Sequence, residues 1–228
     1  MTKTECNTSK EIDIVLPWVN GNDPEWRKCK AEYENNSQAD SSEERYRDWE
    51  LLKYVFRGIE QNLPWIRKVH FVTWGHLPEW LNTDFEKINI VNHKDYIPEK
   101  YLPTFSANPI ELNIHRINNL SEKFIYINDD LFFMDKMSSE DFFQKGLPCS
   151  QAGLCLLNES NNVFNGILFE NKKVINRNFN SKTIIRKNLW MFINHKYGIK
   201  SISKRCFFYH FVSAFSLPLP ICMDLMHI

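Results

Sequence analysis

Residues 12–19, IDIVLPWV, form an apolar, β-branched run that predicts a buried strand. NGNDPEW follows, and its Asn-Gly and Asp-Pro dipeptides predict a loop at the carboxyl end of that strand. Residues 27–46 are polar and charged without a strong period, which fits a helix followed by a mobile loop. In 47–63, Leu52, Val55, Phe56, Ile59 and Leu63 recur at helical spacing, and Pro64 ends the run. VHFVTWG (69–75) predicts a strand, LPEWLN a short helix or turn, and INIVNHKDYI (88–97) another strand. Residues 109–119 predict a second amphipathic helix, and FIYINDD (124–130) a strand that ends in acid. After Asp135 the alternation weakens. Residues 158–180 are rich in Asn, and 181–197 predict a helix with Ile184, Ile185, Leu189 and Phe192 inward.

Strands alternating with helices predict an α/β domain with a mostly parallel central sheet flanked by helices. In such sheets ligands bind at the carboxyl ends of the strands. Three polar clusters fall at predicted strand ends: Asn20, Asn22 and Asp23; Asn92, His93 and Asp95; and Asn128, Asp129 and Asp130.

Adjacent carboxylates after a strand offer hard oxygen ligands for Mg²⁺ or Mn²⁺ on a diphosphate. One carboxylate of Asp129 and Asp130 could instead orient an attacking hydroxyl. The bland alternative is an Asx turn with both acids solvated. In the second helix, Asn108, Glu111 and His115 stand at i, i+3 and i+7, while Ile110, Ile114 and Ile117 form a separate apolar stripe. One face then packs and the other offers an amide, a carboxylate and an imidazole together. Glu111 suits a general base and His115 a phosphate or hydroxyl partner; a merely solvated face would look the same. Arg47 and Lys53 suit phosphate contacts, whereas Asp48 near a helix N-terminus suits the helix dipole. His70, His76, His210 and His227 stand alone and receive no ligand role.

Composition narrows the classes. The 228 residues suffice for one large domain, and 43% apolar residues allow a sizeable core. Lys+Arg and Asp+Glu balance at 28 each, so no basic surplus argues for nucleic acid. The six cysteines form no CxxC pair and match no zinc spacing; they read as ordinary buried thiols of a reducing compartment. The N-terminus shows no apolar signal region, which predicts a cytoplasmic protein. Dinucleotide, P-loop and serine-hydrolase motifs are absent. The segment 207–228, FFYHFVSAFSLPLPICMDLMHI, approaches membrane-spanning length. Pro218, Pro220 and Asp224 interrupt it, so a membrane-surface or poorly folded tail is expected.

The segments IDIVLPWVNGNDPEW (12–26), RYRDWELLKYVFRGIEQNLPWIRKVHFVTWGHLPEWLN (45–82) and LPTFSANPIELNIHRINNLSEKFIYINDDLFF (102–133) closely resemble the Stealth family. That family includes bacterial capsular polysaccharide phosphotransferases and the animal GlcNAc-1-phosphotransferase of lysosomal enzymes. The likeness covers about residues 12–148. It implies transfer of a sugar with its phosphate from a nucleotide sugar, often a UDP-sugar, to a saccharide hydroxyl. The implied product is a phosphodiester in capsular or cell-surface polysaccharide, made in the cytoplasm, with the enzyme at the inner face of the membrane. By motif, Glu111 and Asp130 resemble active-site carboxylates, accompanied by Asn108, His115 and Arg116 of an N-x-x-E-x-x-x-H-R helix. Asp13, Trp18, Asn20 and Asp23 match the first conserved block, at the nucleotide end; Asn20 stands where the family often has Asp.

The family's third block has a His-Pro signature and its fourth an Arg. Here 188–204 resembles only the lead-in to the third block, after which the sequence departs. A catalytic domain over 1–204 and a divergent apolar tail over 205–228 are therefore expected. Truncation implies impaired turnover, with an inactive remnant, an accessory nucleotide-sugar-binding subunit or a conventional glycosyltransferase as alternatives.

Overall fold

The computed structural model describes residues 11–33, 46, 49–149 and 163–187. The chain divides into two compact units between Leu147 and Pro148, inside the span expected as one domain. Arg47 and Asp48, residues 188–197 of the last predicted helix, and the tail 205–228 with His210 and His227 lie outside the described residues.

The first unit is built on a four-stranded, all-parallel sheet. Its strands are β1 (Ile12–Pro17), β2 (Val69–Thr73), β3 (Ile88–Asn92) and β4 (Lys123–Tyr126), in the order β3-β2-β1-β4. The four strands predicted from sequence are the four strands of this sheet. Helix α1 (Pro24–Tyr33) follows β1, and α2 (Leu52–Asn62) leads into β2. Between β3 and β4 come α3 (His93–Tyr96), a 3₁₀ turn (Glu99–Tyr101), α4 (Ala107–Leu112) and a second 3₁₀ turn (Ile114–Arg116).

Both sheet faces are covered, which is why β1 reads as a continuous apolar run. On one face Ile12, Ile14, Leu16 and Phe71 pack against Leu52, Val55, Ile59 and Leu63 of α2 and its C-cap. Burial of each such side chain contributes ~1.5–3 kcal/mol. On the other, Val15, Val72 and Val91 pack against Ile114 and Ile117. Helix α2 begins later than the periodicity predicted, because Glu50 adopts φ 57°, a left-handed conformation no helix accommodates.

Two further expectations give way. The strand predicted over 88–97 ends at Asn92. Its side chain accepts from Lys94 N–H, and Asp95 accepts from Asn92 N–H, a reciprocal cap that starts α3. The helix predicted over 109–119 breaks at Asn113, whose amide donates to the Pro109 carbonyl. Ile114 and Ile117, three apart, then use 3₁₀ geometry to enter the core together.

Asp13 was expected among the ligand residues at the nucleotide end; the structure places it in the interior instead. It is fully buried and accepts from Arg67 Nε (2.9 Å), Ser121 N–H (2.8 Å) and His70 Nε2 (3.0 Å). Asn89 reaches the other imidazole nitrogen of His70 at 2.9 Å. Burial alone would raise the Asp13 carboxyl. The bonds from His70, Arg67 and Ser121 outweigh it, and the group lies below its ordinary value. Asp13 thus knits β1, β2 and the entry to β4.

After β4 come α5 (Ser139–Phe142) and a short hairpin of β5 (Phe143–Gln144) and β6 (Leu147–Pro148). The second unit contains α6 (Val163–Asn178), in the Asn-rich stretch, and α7 (Ser181–Lys187), where Asn180 Oδ1 accepts from Thr183 N–H. No helix among the described residues is long and apolar enough to cross a membrane. The described cysteines, Cys29 and Cys149, are half-buried.

Candidate active site at the switch between β1 and β4

The strand order reverses between β1 and β4. From β1 the chain builds outward through β2 to β3, then returns to place β4 on the other side of β1. In doubly wound sheets such a reversal opens a crevice at the carboxyl ends of the two strands, where ligands bind. Asn20 and Asp23 follow β1, and Asn128, Asp129 and Asp130 follow β4, so the two clusters flank this switch point.

The acidic turn is braced from both sides. Ile127 N–H donates to Val15 O, and Leu131 N–H closes onto Asn128 O. Beyond it, Asn62 of α2 donates its amide to Phe133 O, and Trp65 Nε1–H donates to Met137 O at 2.7 Å. A Cβ on Gly58 would meet Phe133 O at 3.0 Å, so glycine lets this strap lie close on α2. Asn128, Asp129 and Asp130 remain exposed.

Glu111, exposed on α4, is drawn to the same place. Tyr126, two residues before the acidic run, donates its hydroxyl to Glu111 Oε1 at 2.9 Å. Burial pushes the Tyr126 hydroxyl far up, and the charges of Glu111, Tyr96 and Asp129 push it further. Tyr126 therefore keeps its proton and donates it to Glu111 in the neutral range, with Asp129 close enough to act on it. Sequence reading missed it, although alternation along β4 puts it on the face that α4 covers.

Asn108, His115 and Arg116 are also exposed, but not on one helix with Glu111 as expected. Asn108 belongs to α4, while His115 and Arg116 sit in the following 3₁₀ turn. Lys53 lies in the first turn of α2, which has no side-chain cap and no acid there. Its Nζ stands 5.4 Å from the centroid of the Tyr54 ring.

The remaining first-block residues pack in the core or shape the loop after β1. Trp18 is buried, stacked on Phe71 at 5.7 Å, and is not an open platform for a ligand. Asn20 Oδ1 accepts from Asn22 N–H, and Asp23 Oδ1 caps α1 through Trp26 N–H at 2.8 Å. His76, given no role from sequence, accepts from Asn20 N–H at 2.7 Å through Nε2.

Asp129 and Asp130 are exposed carboxylates in one turn, and among the described residues no group of three or more His, Cys, Asp or Glu comes together that could hold a metal. Mg²⁺ bound through one or two carboxylates, with phosphate and water oxygens completing its shell, has this donor set.

An all-parallel sheet flanked by helices, with its strand order reversing beside β1, defines the class: an α/β domain with a nucleotide-sugar-transferase-like fold. Conserved region 1 of the Stealth proteins matches residues 10–38, and conserved region 2 matches residues 45–149. The chain belongs to the Stealth family. It is similar to the capsular polysaccharide phosphotransferase WcwK of Streptococcus pneumoniae, 40% identical over 200 residues, covering 86% of this chain and 60% of the relative. It is similar also to the receptor polysaccharide phosphotransferase WefC of Streptococcus gordonii, 38% identical over 200 residues, with the same coverage of 86% and 60%. The capsular polysaccharide phosphotransferase CpsJ of Streptococcus thermophilus is 37% identical over 203 residues, with 87% of this chain and 85% of that protein aligned. The chain thus spans about 60% of the length of the first two.

Proposed function

We propose that this chain carries the donor and base side of a sugar-1-phosphate transferase acting in capsular or cell-surface polysaccharide synthesis in the cytoplasm. The substrates are a nucleotide sugar, with a UDP-sugar the first choice, and a saccharide hydroxyl. The acceptor oxygen bonds to the phosphorus next to the sugar, the diphosphate bridge breaks, and the nucleoside monophosphate leaves. The observation that carries this reading is the Glu111–Tyr126 pair, with Asp129 acting on Tyr126, at the β1–β4 switch. The names of the similar streptococcal proteins support the reaction class.

Phosphoryl transfer asks for positioning, charge neutralisation and a proton acceptor. Glu111 takes the acceptor proton, and Tyr126 holds its carboxylate toward the crevice. Lys53, in the first turn of α2, meets a phosphate through its charge. Arg116, His115 and Asn108 border the acceptor side. Asp129 and Asp130 hold the divalent cation, whose chemistry is to neutralise diphosphate charge. The inner face of the membrane is the proposed place of action.

Phosphorus NMR of the reaction with UDP-sugars and capsular oligosaccharide tests the proposal. A phosphodiester with release of nucleoside monophosphate supports it. A plain glycoside with release of nucleoside diphosphate overturns it in favour of ordinary glycosyl transfer. Tight donor binding without product assigns the chain to binding alone.

A further inference from the structure

His76 lies beyond the end of β2, with its side chain 9% exposed. Its ring stands edge-on to Trp18 at 5.2 Å and tilted against Trp74 at 6.0 Å. Nε2 accepts from Asn20 N–H, so the neutral ring carries its proton on Nδ1. That nitrogen is buried, makes no hydrogen bond, and stands 3.7 Å from Asp23 Oδ2. The imidazole thus bridges the two ends of the Asn20–Asp23 loop, which also starts α1.

We propose that His76 is a positioning residue: its unprotonated Nε2 fixes the loop after β1 in the shape that receives the nucleotide diphosphate. The proposal rests on the reading that this loop borders the donor site. A protonated ring would turn a second N–H toward Asn20 N–H, and two donors cannot share that contact. The loop would then have to leave.

The ionisable groups facing His76 decide how firmly the neutral form is held. Asp23, on the β1 loop, favours the imidazolium. His93, at the start of α3, is itself buried and electrostatically opposed to a charge on His76. Trp18 and Trp74 bring no charge. Burial is the largest influence and pushes the ring below the ordinary histidine value of 6.5, Asp23 pulling the other way.

Glutamine separates positioning from bulk. Its carbonyl oxygen can occupy the place of Nε2 and accept from Asn20 N–H at any pH. UDP binding is measured by calorimetry from about pH 8 to pH 5, with the melting temperature followed alongside. Wild-type affinity should fall roughly tenfold toward the acid end, the expected yield of one lost ordering contact of this kind. His76→Phe should lose that affinity at every pH. His76→Gln should recover most of what phenylalanine loses and show a flat profile; because it keeps His93, any remaining acid limb belongs elsewhere. A wild-type profile in His76→Gln overturns the proposal.

Nitrogen NMR of the imidazole and hydrogen exchange at Asn20 N–H supply an arm independent of any ligand. The proton on Nδ1, with Asn20 protected until His76 titrates and protected throughout in His76→Gln, supports the clamp. The proton on Nε2 at neutral pH, or Asn20 exchange indifferent to His76, sinks it. If UDP fails to bind the wild type, the donor reading falls and this second arm still decides whether the clamp exists.

Discussion

Tyr126 donates its hydroxyl to Glu111 Oε1 across 2.9 Å, and this bond joins the strand that leads into the acidic turn to the helix that carries the proposed base. The donor comes from a ring packed with the second core, so the carboxylate is aimed by the sheet itself. Glu111 is exposed, and its replacement leaves no cavity.

Glu111→Gln should therefore lower turnover by ~10²–10⁴-fold, the usual worth of a general base, with the melting temperature within about 2 °C of wild type. Tyr126→Phe keeps the ring and loses only the aim, so it should cost turnover less than Glu111→Gln and stability about 1 kcal/mol or less. Steady-state rates and thermal melts check both. Equal losses of activity and stability in Glu111→Gln would assign that side chain to the fold.

Lys53→Met should weaken UDP binding about tenfold, the loss of one charge-assisted contact of ~1.5 kcal/mol. The remaining affinity should depend less on salt, because one screened attraction has gone. Calorimetry at two ionic strengths reads both effects. Unchanged affinity would remove Lys53 from the phosphate site.

Asp13→Ala should destabilise the fold by ~3–5 kcal/mol, because it strands Arg67 and His70 beside an empty carboxylate position. The Asp13 value is lowered on folding. Its contribution is thus present above the ordinary 3.8 and is lost as pH falls through the folded value. Urea unfolding should show that acid limb in wild type and not in Asp13→Ala.

His93 titrates in a different window. Burial, aided by His76, lowers it from 6.5 to about 4. A folded value below the unfolded one means that its contribution is full above 6.5 and is lost as pH drops toward about 4. The loss is on the order of 3 kcal/mol. His93→Leu should flatten the stability profile across that interval, as urea midpoints would report.

Gly21→Ala should distort the loop after β1. An added Cβ would clash with the Tyr46 carbonyl oxygen, a backbone atom rather than the end of a flexible side chain. A loss of ~1–3 kcal/mol and weaker UDP binding are expected, measured by melts and calorimetry. Wild-type behaviour in both would show that the loop tolerates displacement.

What the sequence discloses divides by distance along the chain. The strands were legible because their apolar runs are local, and α2 because Leu52, Val55, Ile59 and Leu63 repeat within one segment. The start of α3 was also written locally, as Asn92 followed three residues later by Asp95, but the β-branched run before it dominated the reading. Ile114 and Ile117 fit an α-helical stripe as well as the 3₁₀ turn they adopt, so the break at Asn113 stayed hidden. The site was harder. Asp129, Asp130 and Glu111 drew notice as charged residues at expected places, whereas Tyr126 looked like one more strand residue. His76 stood alone because Asn20 lies 56 positions away. Asp13 was misplaced for the same reason: its partners Arg67, His70 and Ser121 lie far along the chain, and only the folded sheet gathers them.

The pairing of β1 with β4 carries a consequence for synthesis on the ribosome. Ser121 reaches Asp13 across 108 positions, and Lys123 pairs with Ile12 at the start of the ladder. Loops of that size close slowly and late. A nascent chain can assemble α2 and the β1–β2 pair long before β4 leaves the exit tunnel. Until then one edge of β1 is bare, an invitation to wrong partners. The same event that seals this edge creates the crevice. A growing chain is consequently ligand-blind until its interior is finished, and donor retention in arrest experiments should appear abruptly once the segment through Asp130 has emerged.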